Sequence, residues 1–227
     1  MSAPRRIAVI VVAAGTGERM GGIPKQYRPL AGRAVLARTI DAFTRRSDVA
    51  WVLPVIHREH ASRYADLALE GPKLLAPVPG AETRQGSVLA GLEALAGRGL
   101  DVVLIQDAAR PLVDDAVIDG VLAGLGRAAL PAVPVTDTIK RSHDGVIVDG
   151  TEDRHTLFAA QTPQGFHFEA ILAAHRRAAG LPQPFTDDAG IAEWAGLGVA
   201  LAPGSVRNIK ITLPEDFARA ERLLGEA

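Results

Sequence analysis

Apolar residues gather along this chain in short continuous runs, separated by longer stretches in which they recur every three or four positions. The runs fall at Ile7–Ala14, Ala50–Ile56, Leu74–Pro79, Asp101–Gln106 and Pro131–Val135, with further candidates at Val199–Leu201 and Asn208–Thr212. Between them lie the amphipathic stretches Ala34–Arg46, Glu59–Leu69, Thr83–Leu95, Asp114–Arg127 and Phe168–Ala179. Short apolar runs bounded by turn residues predict strands buried on both faces, and their alternation with helices predicts a mostly parallel sheet covered on both sides. Pro214-Glu215-Asp216 predicts the start of a last helix, with proline in the first turn and acids at its positive end. No repeat or composition break divides the chain, so a single α/β domain over residues 1–227 is expected.

One segment interrupts the alternation. Thr138–Arg141, Ser142-His143-Asp144-Gly145 and Val146–Val148 read as a β-hairpin turning at Asp144-Gly145. A two-stranded hairpin is marginal alone. This one is expected to pack on something else, and a second subunit is the obvious candidate.

Composition narrows the class. The 227 residues are 48% hydrophobic, yet no apolar run approaches the length of a membrane-spanning helix. The basic start, Met1–Arg6, leads into a glycine turn and not into a signal cleavage site. There is no cysteine, which removes disulfides, a thiol nucleophile and thiolate metal sites and fits a cytoplasmic protein. A formal net charge of −1 without a polybasic tract leaves no footprint for nucleic acid. Basic residues that matter here act locally.

The densest candidate chemistry follows the first strand. Ala13-Ala14-Gly15-Thr16-Gly17-Glu18-Arg19-Met20, with Lys25 shortly after, puts a glycine turn at a strand's carboxyl end. Gly15 and Gly17 let backbone N–H groups approach a phosphate chain, and Arg19 and Lys25 can neutralise it. A Walker loop is excluded, because Pro24 and Gln26 flank Lys25. The dinucleotide fingerprint fails at Met20, where it needs glycine. A plain strand-to-helix turn with solvated basic residues stays open.

Other candidates sit where open α/β sheets keep their chemistry, past the strands' carboxyl ends. Asp107-Ala108-Ala109-Arg110-Pro111 closes one strand. Asp107 can hold a divalent cation or a substrate hydroxyl, or merely cap the next turn. Gly80-Ala81-Glu82-Thr83-Arg84-Gln85-Gly86-Ser87 opens a helix whose hydroxyls and free N–H groups can take a ribose or base edge, although Thr83 can equally be a simple N-cap. Lys210 falls inside the apolar candidate strand Asn208–Thr212, where its charge needs an anionic partner. The six histidines form no zinc-binding spacing and read as surface or structural residues. Fixed cations with one or two carboxylates suit phosphoryl or nucleotidyl transfer, in which positioning and charge stabilisation do most of the catalysis.

Taken together, these motifs resemble the 2-C-methyl-D-erythritol 4-phosphate cytidylyltransferase family. The resemblance rests on Ala13–Met20 with Pro24-Lys25-Gln26-Tyr27, Arg84 with Ser87–Leu92, and Asp107–Pro111. Asp137–Arg141, Asp153-Arg154, Gln161–Gln164 and Asn208-Ile209-Lys210 continue it in order. Gln106 stands where a histidine is usual, and Glu18 where a basic residue often sits. Phe185-Thr186-Asp187-Asp188-Ala189 looks like the cytidylyltransferase half of bifunctional enzymes that add a cyclase domain, while the end soon after Leu224 predicts no such domain here.

The resemblance implies a Rossmann-like sheet of the nucleotide-diphospho-sugar transferase type, with a protruding β-arm at about residues 136–156 that builds a homodimer. It implies transfer of a cytidylyl group from CTP to a polyol phosphate, 2-C-methyl-D-erythritol 4-phosphate, with Mg2+. Arg19 and Lys25 would be catalytic at the α-phosphate. Arg154, from the neighbouring subunit, and Lys210 would position the acceptor phosphate, with Asp107, Arg110 and Thr138 near the polyol. Ala13, Ala14, Gly15, Thr16, Gly17, Gly80, Arg84, Ser87 and Ala108 would bind the nucleotide. Two other readings remain at this point: a cytidylyltransferase for another polyol phosphate, such as ribitol 5-phosphate, and a catalytically silent nucleotide-binding protein.

Overall fold

A computed structural model describes residues 5–15, 22–182 and 185–226. Its strands and α-helices follow in the order β1 (Ile7–Ala13), β2 (Pro29–Leu30), β3 (Arg33–Ala34), α1 (Val35–Thr44), β4 (Val49–Ile56), α2 (Ala61–Ala65), β5 (Val78–Pro79), α3 (Arg84–Leu95), β6 (Val102–Asp107) and α4 (Asp115–Ala123). Then come β7 (Ala128–Pro134), β8 (Lys140–Arg141), β9 (Gly150–Thr151), β10 (Phe158–Ala160), β11 (Gln164–His167), α5 (Phe168–Ala178), α6 (Asp188–Trp194), β12 (Val199–Pro203) and α7 (Glu215–Gly225).

Eight strands form one sheet in which β1 lies between β4 and β6, and β5 extends it beyond β4. All of those pairings are parallel. Beyond β6 the sheet is mixed: β11 pairs antiparallel with β6 and touches β7, β10 pairs antiparallel with β7, and β12 pairs parallel with β7. Gly165 and Ala200 both face Ala129, so β11 and β12 take opposite edges of β7. The sheet is therefore mostly parallel, with one reversed line of chain inserted.

Strand side chains alternate between faces, and each face feeds its own core. Ile7, Val9, Val11 and Ala13 of β1 join Val102 and Leu104 of β6 under α1 and α4, through Leu36, Ile40, Phe43, Val117 and Val121. Ala8 and Ile10 join Val103 and Ile105 under α3, α5 and α6, through Val88, Leu92, Ile171 and Ile191. A sheet buried on both sides leaves its strand ends as the place for polar chemistry.

Several expected elements take another form. Glu59–Leu69 shrinks to a 3-10 turn at Arg58–His60 followed by the single α-turn of α2. Of Leu74–Pro79 only Val78–Pro79 is strand, with an isolated bridge from Leu74 to Val52. Asn208–Thr212 is not a strand. The Ile211 N–H donates to the Ala109 carbonyl at 2.8 Å, and the Ile211 side chain is buried with Leu30, Val35 and Phe217 of α7. The hairpin also differs: Lys140 and Arg141 pair with Thr151 and Gly150, whereas Val146–Val148 belong to the loop. Asp144 accepts hydrogen bonds from the Val146 and Ile147 N–H groups, both at 2.8 Å, which folds that segment into a tight turn. β10, β11 and α6 were not expected.

Candidate active site

Strands β1, β5 and β6 are parallel, so the ends carrying Ala13, Pro79 and Asp107 meet along one edge of the sheet. A cavity of ≈ 290 Å3 opens there, lined among others by Ala13, Ala14, Gly15, Lys25, Arg84, Ser87, Asp107, Ala108 and Lys210. A second cavity of ≈ 240 Å3 shares Arg84, Asp107 and Lys210 and adds Arg110, Ala160, Thr162 and Thr186. The two hollows meet at three charged side chains.

Asp107 is the centre of that junction. Its Oδ2 accepts a 2.7 Å hydrogen bond from Lys210 Nζ, and its Oδ1 one of 3.2 Å from Arg84 Nε. Burial opposes ionisation of this carboxyl, but Arg84 and Lys210 beside it outweigh burial and hold it down at about 2. The anionic partner expected for Lys210 is thus a carboxylate of the same chain. Behind the site, Arg84 Nη2 lies 2.8 Å from Oδ2 of Asp188, whose Oδ1 lies 3.2 Å from His175 Nε2. Burial opposes the Arg84 charge, and the two carboxylates more than restore it, raising its pKa further.

Local backbone explains why these groups converge. Thr83 caps α3 through its hydroxyl, which accepts from the Gly86 N–H at 3.0 Å, so Arg84 leaves the helix at its first residue. The Ser87 hydroxyl donates to the Thr83 carbonyl at 2.9 Å and accepts from the Ala81 N–H at 3.0 Å, fixing the loop over the first cavity. Gly80 makes that approach possible: a Cβ there would stand 2.4 Å from the Ala14 Cβ and 2.7 Å from the Ser87 Oγ. Opposite, Lys25 sits in a 3-10 turn and its Nζ donates to the Ile211 carbonyl at 2.7 Å. Gln26 donates to the carbonyls of Ala13 and Gly15, at 3.0 and 2.8 Å, and so ties down the start of the loop after β1.

Of the residues singled out in the sequence, Ala13, Ala14, Gly15, Lys25, Arg84, Ser87, Asp107, Ala108, Arg110 and Lys210 line one or both cavities. Gly80 packs directly behind the wall. Arg110 is turned toward backbone, donating to the Asn208 and Ala160 carbonyls at 2.7 and 3.3 Å. Thr138 and Arg154 line neither cavity, and Arg154 donates to the Thr136 carbonyl at 2.8 Å. Thr16, Gly17 and Arg19 lie outside the described residues.

Sequence reasoning assigned no role to Thr162, Gln161 or Asn208. The Thr162 hydroxyl accepts from the Asp107 N–H at 3.1 Å, and Asn208 Nδ2 donates to the Thr162 carbonyl at 2.9 Å. Gln161 grips Ser205 through both ends of its amide. These groups fasten the Lys210 segment to the end of β6. Their signal was present, since Gln161–Gln164 and Asn208 belong to the motifs that carried the resemblance, but nothing in spacing said that they touch.

The residues constrain how a metal can sit. Among the described residues no group of three or more histidine and carboxylate side chains converges, and both oxygens of Asp107 already face cations. That set fits Mg2+ carried on substrate phosphates with its waters, and does not fit a cage of protein ligands.

Comparison with known proteins places this geometry. Residues 7–226 match the family model IspD, 2-C-methyl-D-erythritol 4-phosphate cytidylyltransferase. The chain belongs to that family. It is 51% identical over 229 residues to the bifunctional enzyme IspD/IspF of Bradyrhizobium diazoefficiens, covering 99% of this chain and 57% of that protein. The chain thus spans a little over half the length of such curated relatives. The crystal structure of 4-diphosphocytidyl-2C-methyl-D-erythritol synthase from Anaerococcus prevotii superposes with a TM-score of 0.85 at 28% identity, covering 98% of this chain and 100% of that one. The 2-C-methyl-D-erythritol 4-phosphate cytidylyltransferase of Thermus thermophilus gives 0.76 at 33% identity, over 96% and 98% of the two chains. IspD-family membership and the mostly parallel α/β fold therefore agree with the sequence reading.

Proposed function

We propose that this chain transfers the cytidylyl group of CTP to the phosphate of 2-C-methyl-D-erythritol 4-phosphate, releasing pyrophosphate. The observation that carries the reading is the Arg84–Asp107–Lys210 cluster where two cavities meet, in a chain that matches the family over residues 7–226. The nucleophile is an acceptor phosphate oxygen that is already ionised. It forms a bond to the α-phosphorus while the bond from that phosphorus to the bridging oxygen breaks, and pyrophosphate departs with the electron pair. No general base is required.

The obstacle is charge. Two unit charges about 4 Å apart repel by roughly 4 kcal/mol at an effective dielectric near 20. Lys25 stabilises the α-phosphate and the departing pyrophosphate from its 3-10 turn after β1, a role that the resemblance also gives to Arg19. Lys210, one residue before the Ile211 carbonyl that holds Lys25, draws the acceptor phosphate toward the nucleotide. Asp107 keeps Lys210 fixed, and its remaining lone pairs can accept a polyol hydroxyl. Ser87 supports the cytidine end through the loop that its hydroxyl ties down. Mg2+, when present, would supply further neutralisation of the phosphates, with Asp107 the carboxylate at the cavity junction and already engaged by Arg84 and Lys210.

The site is completed by a second copy of the chain. Val146, Ile147 and Val148 are 81%, 63% and 57% exposed on the hairpin loop, an apolar tip suited to burial against a partner. Arg154 follows the hairpin without lining its own chain's cavities, and acts as the acceptor-phosphate cation of the neighbouring site. Pyrophosphate release on mixing the protein with CTP, 2-C-methyl-D-erythritol 4-phosphate and Mg2+ tests the reading, and no release under any of these conditions overturns it.

A further inference from the structure

Behind the active site lies a buried carboxylate with no part in the reaction just described. Asp188 and His175 are both fully buried, and the Asp188 carboxylate stands between His175 Nε2 at 3.2 Å and Arg84 Nη2 at 2.8 Å. Its placement is rigid: Gln164 Oε1 accepts from the Ala189 N–H at 2.9 Å, Gln164 Nε2 donates to Asp187 at 2.7 Å, and Asp187 caps α6 by accepting from the Gly190 N–H at 2.9 Å. Three residues at the start of one short helix are locked so that the second presents its charge inward.

Charges then alternate in a line to the cavity junction, through Asp188, Arg84, Asp107 and Lys210, with the His175 ring behind Asp188 on α5. Arg84 occupies the middle, using Nη2 for one carboxylate and Nε for the other. Only a planar fork can bridge two carboxylates in that way with a single rotamer. A fold that needed packing alone would be served as well by apolar side chains, since burying an ion pair seldom adds net stability. The line passes through Asp107, a carboxylate shared by both cavities, and ends on Lys210, which both also share.

We propose that Asp188, backed by His175, is a positioning residue that fixes the Arg84 guanidinium and through it the Asp107–Lys210 pair at the acceptor phosphate. This rests on the cytidylyltransferase reading for its kinetic consequence, though not for its structural one. Without Asp188, Arg84 would have one carboxylate instead of two and freedom to swing toward the substrate phosphates. Misplacement of about 1 Å at such a site costs of the order of a hundredfold in rate.

Two readouts test it on the full chain. The first is the 15N-resolved Nε–H resonance of Arg84, assigned by its disappearance in Arg84→Lys. It should be distinct and slow to exchange in the wild type, and shifted and faster to exchange in Asp188→Asn, where Asp107 alone holds the guanidinium. The second is kinetic. Asp188→Asn should lower kcat/KM for the polyol phosphate roughly tenfold or more, with KM for CTP moving less than about threefold. In an Arg84→Lys background the same substitution should add nothing, because the residue acts through Arg84. An unchanged Arg84 resonance with wild-type kinetics, or losses that multiply in the double variant, overturns the proposal. Should Asp188→Asn not fold, Arg84→Lys decides: it keeps the charge but cannot span both carboxylates, so wild-type kinetics there would equally overturn it. A wild type that turns over no acceptor at all defeats the cytidylyltransferase reading, and the Arg84 resonance then still decides the positioning role.

Discussion

Asp107 illustrates how a single residue carries several demands. Its folded carboxyl titrates at about 2 against an ordinary 3.8, so it stabilises the fold fully above about pH 4 and loses that contribution as pH falls toward 2. The difference is of the order of 2 kcal/mol, and Asp188, also held below the ordinary range, adds in the same direction: burial opposes its charge, and Arg84 and His175 outweigh burial. Urea midpoints followed from pH 5 to pH 2 should fall more steeply for the wild type than for Asp107→Asn; parallel curves would contradict the pairing. For Lys25, truncation to alanine should lower kcat by about a hundredfold or more with the fold retained, as expected on losing one preorganised group at a developing charge. Saturation kinetics with circular dichroism as the folding control checks this, and a near-wild-type kcat would remove Lys25 from the chemistry. Asp107 was legible because a carboxylate closing an apolar run is conspicuous, Lys210 because a lysine interrupts one, and Arg84 because it follows the cap that opens α3. His175 and Asp188 were not, since their partners come from α5, α3 and α6, and local pattern does not encode which charge will be buried.

Elements were readable in proportion to their length and apolar content. β1, β4 and β6 stand out because a strand covered on both faces must be apolar throughout. β10 and β11 run three and four residues, and β11 carries Gln164 and Gly165, so periodicity had nothing to hold. Asn208–Thr212 imitates a strand because Ile209 and Ile211 alternate with polar residues, but only the Ile211 N–H finds a carbonyl at the sheet's end, and Ile211 is its one fully buried apolar side chain. The hairpin was placed correctly in the chain and misread in register, as Asp144 captures the two N–H groups that a ladder would have used. Gly80 links element geometry to the site. Gly80→Ala would press a methyl group between the end of β1 and the start of α3, costing about 1–3 kcal/mol. The thermal midpoint should drop and KM for CTP should rise, because the displaced wall is the one proposed to hold the nucleotide; a variant unchanged in both would show that this contact is slack.

At the level of the whole molecule, the separation of roles between two copies of the chain is the strongest demand of the account. Lys25→Ala chains mixed with Arg154→Ala chains should regenerate one intact site in each mixed dimer. With random exchange of equal amounts, about half the dimers are mixed, and roughly a quarter of wild-type activity should return. Failure to recover activity after verified exchange would put Arg154 to work within its own chain. The central claim, cytidylyl transfer to a specific polyol phosphate, is tested most directly by kcat/KM measured with CTP, UTP and ATP against 2-C-methyl-D-erythritol 4-phosphate and ribitol 5-phosphate. Pyrophosphate and a CDP-polyol should form with CTP and 2-C-methyl-D-erythritol 4-phosphate, with every other pairing at least tenfold poorer. Equal or better turnover with ribitol 5-phosphate or another nucleotide would contradict it.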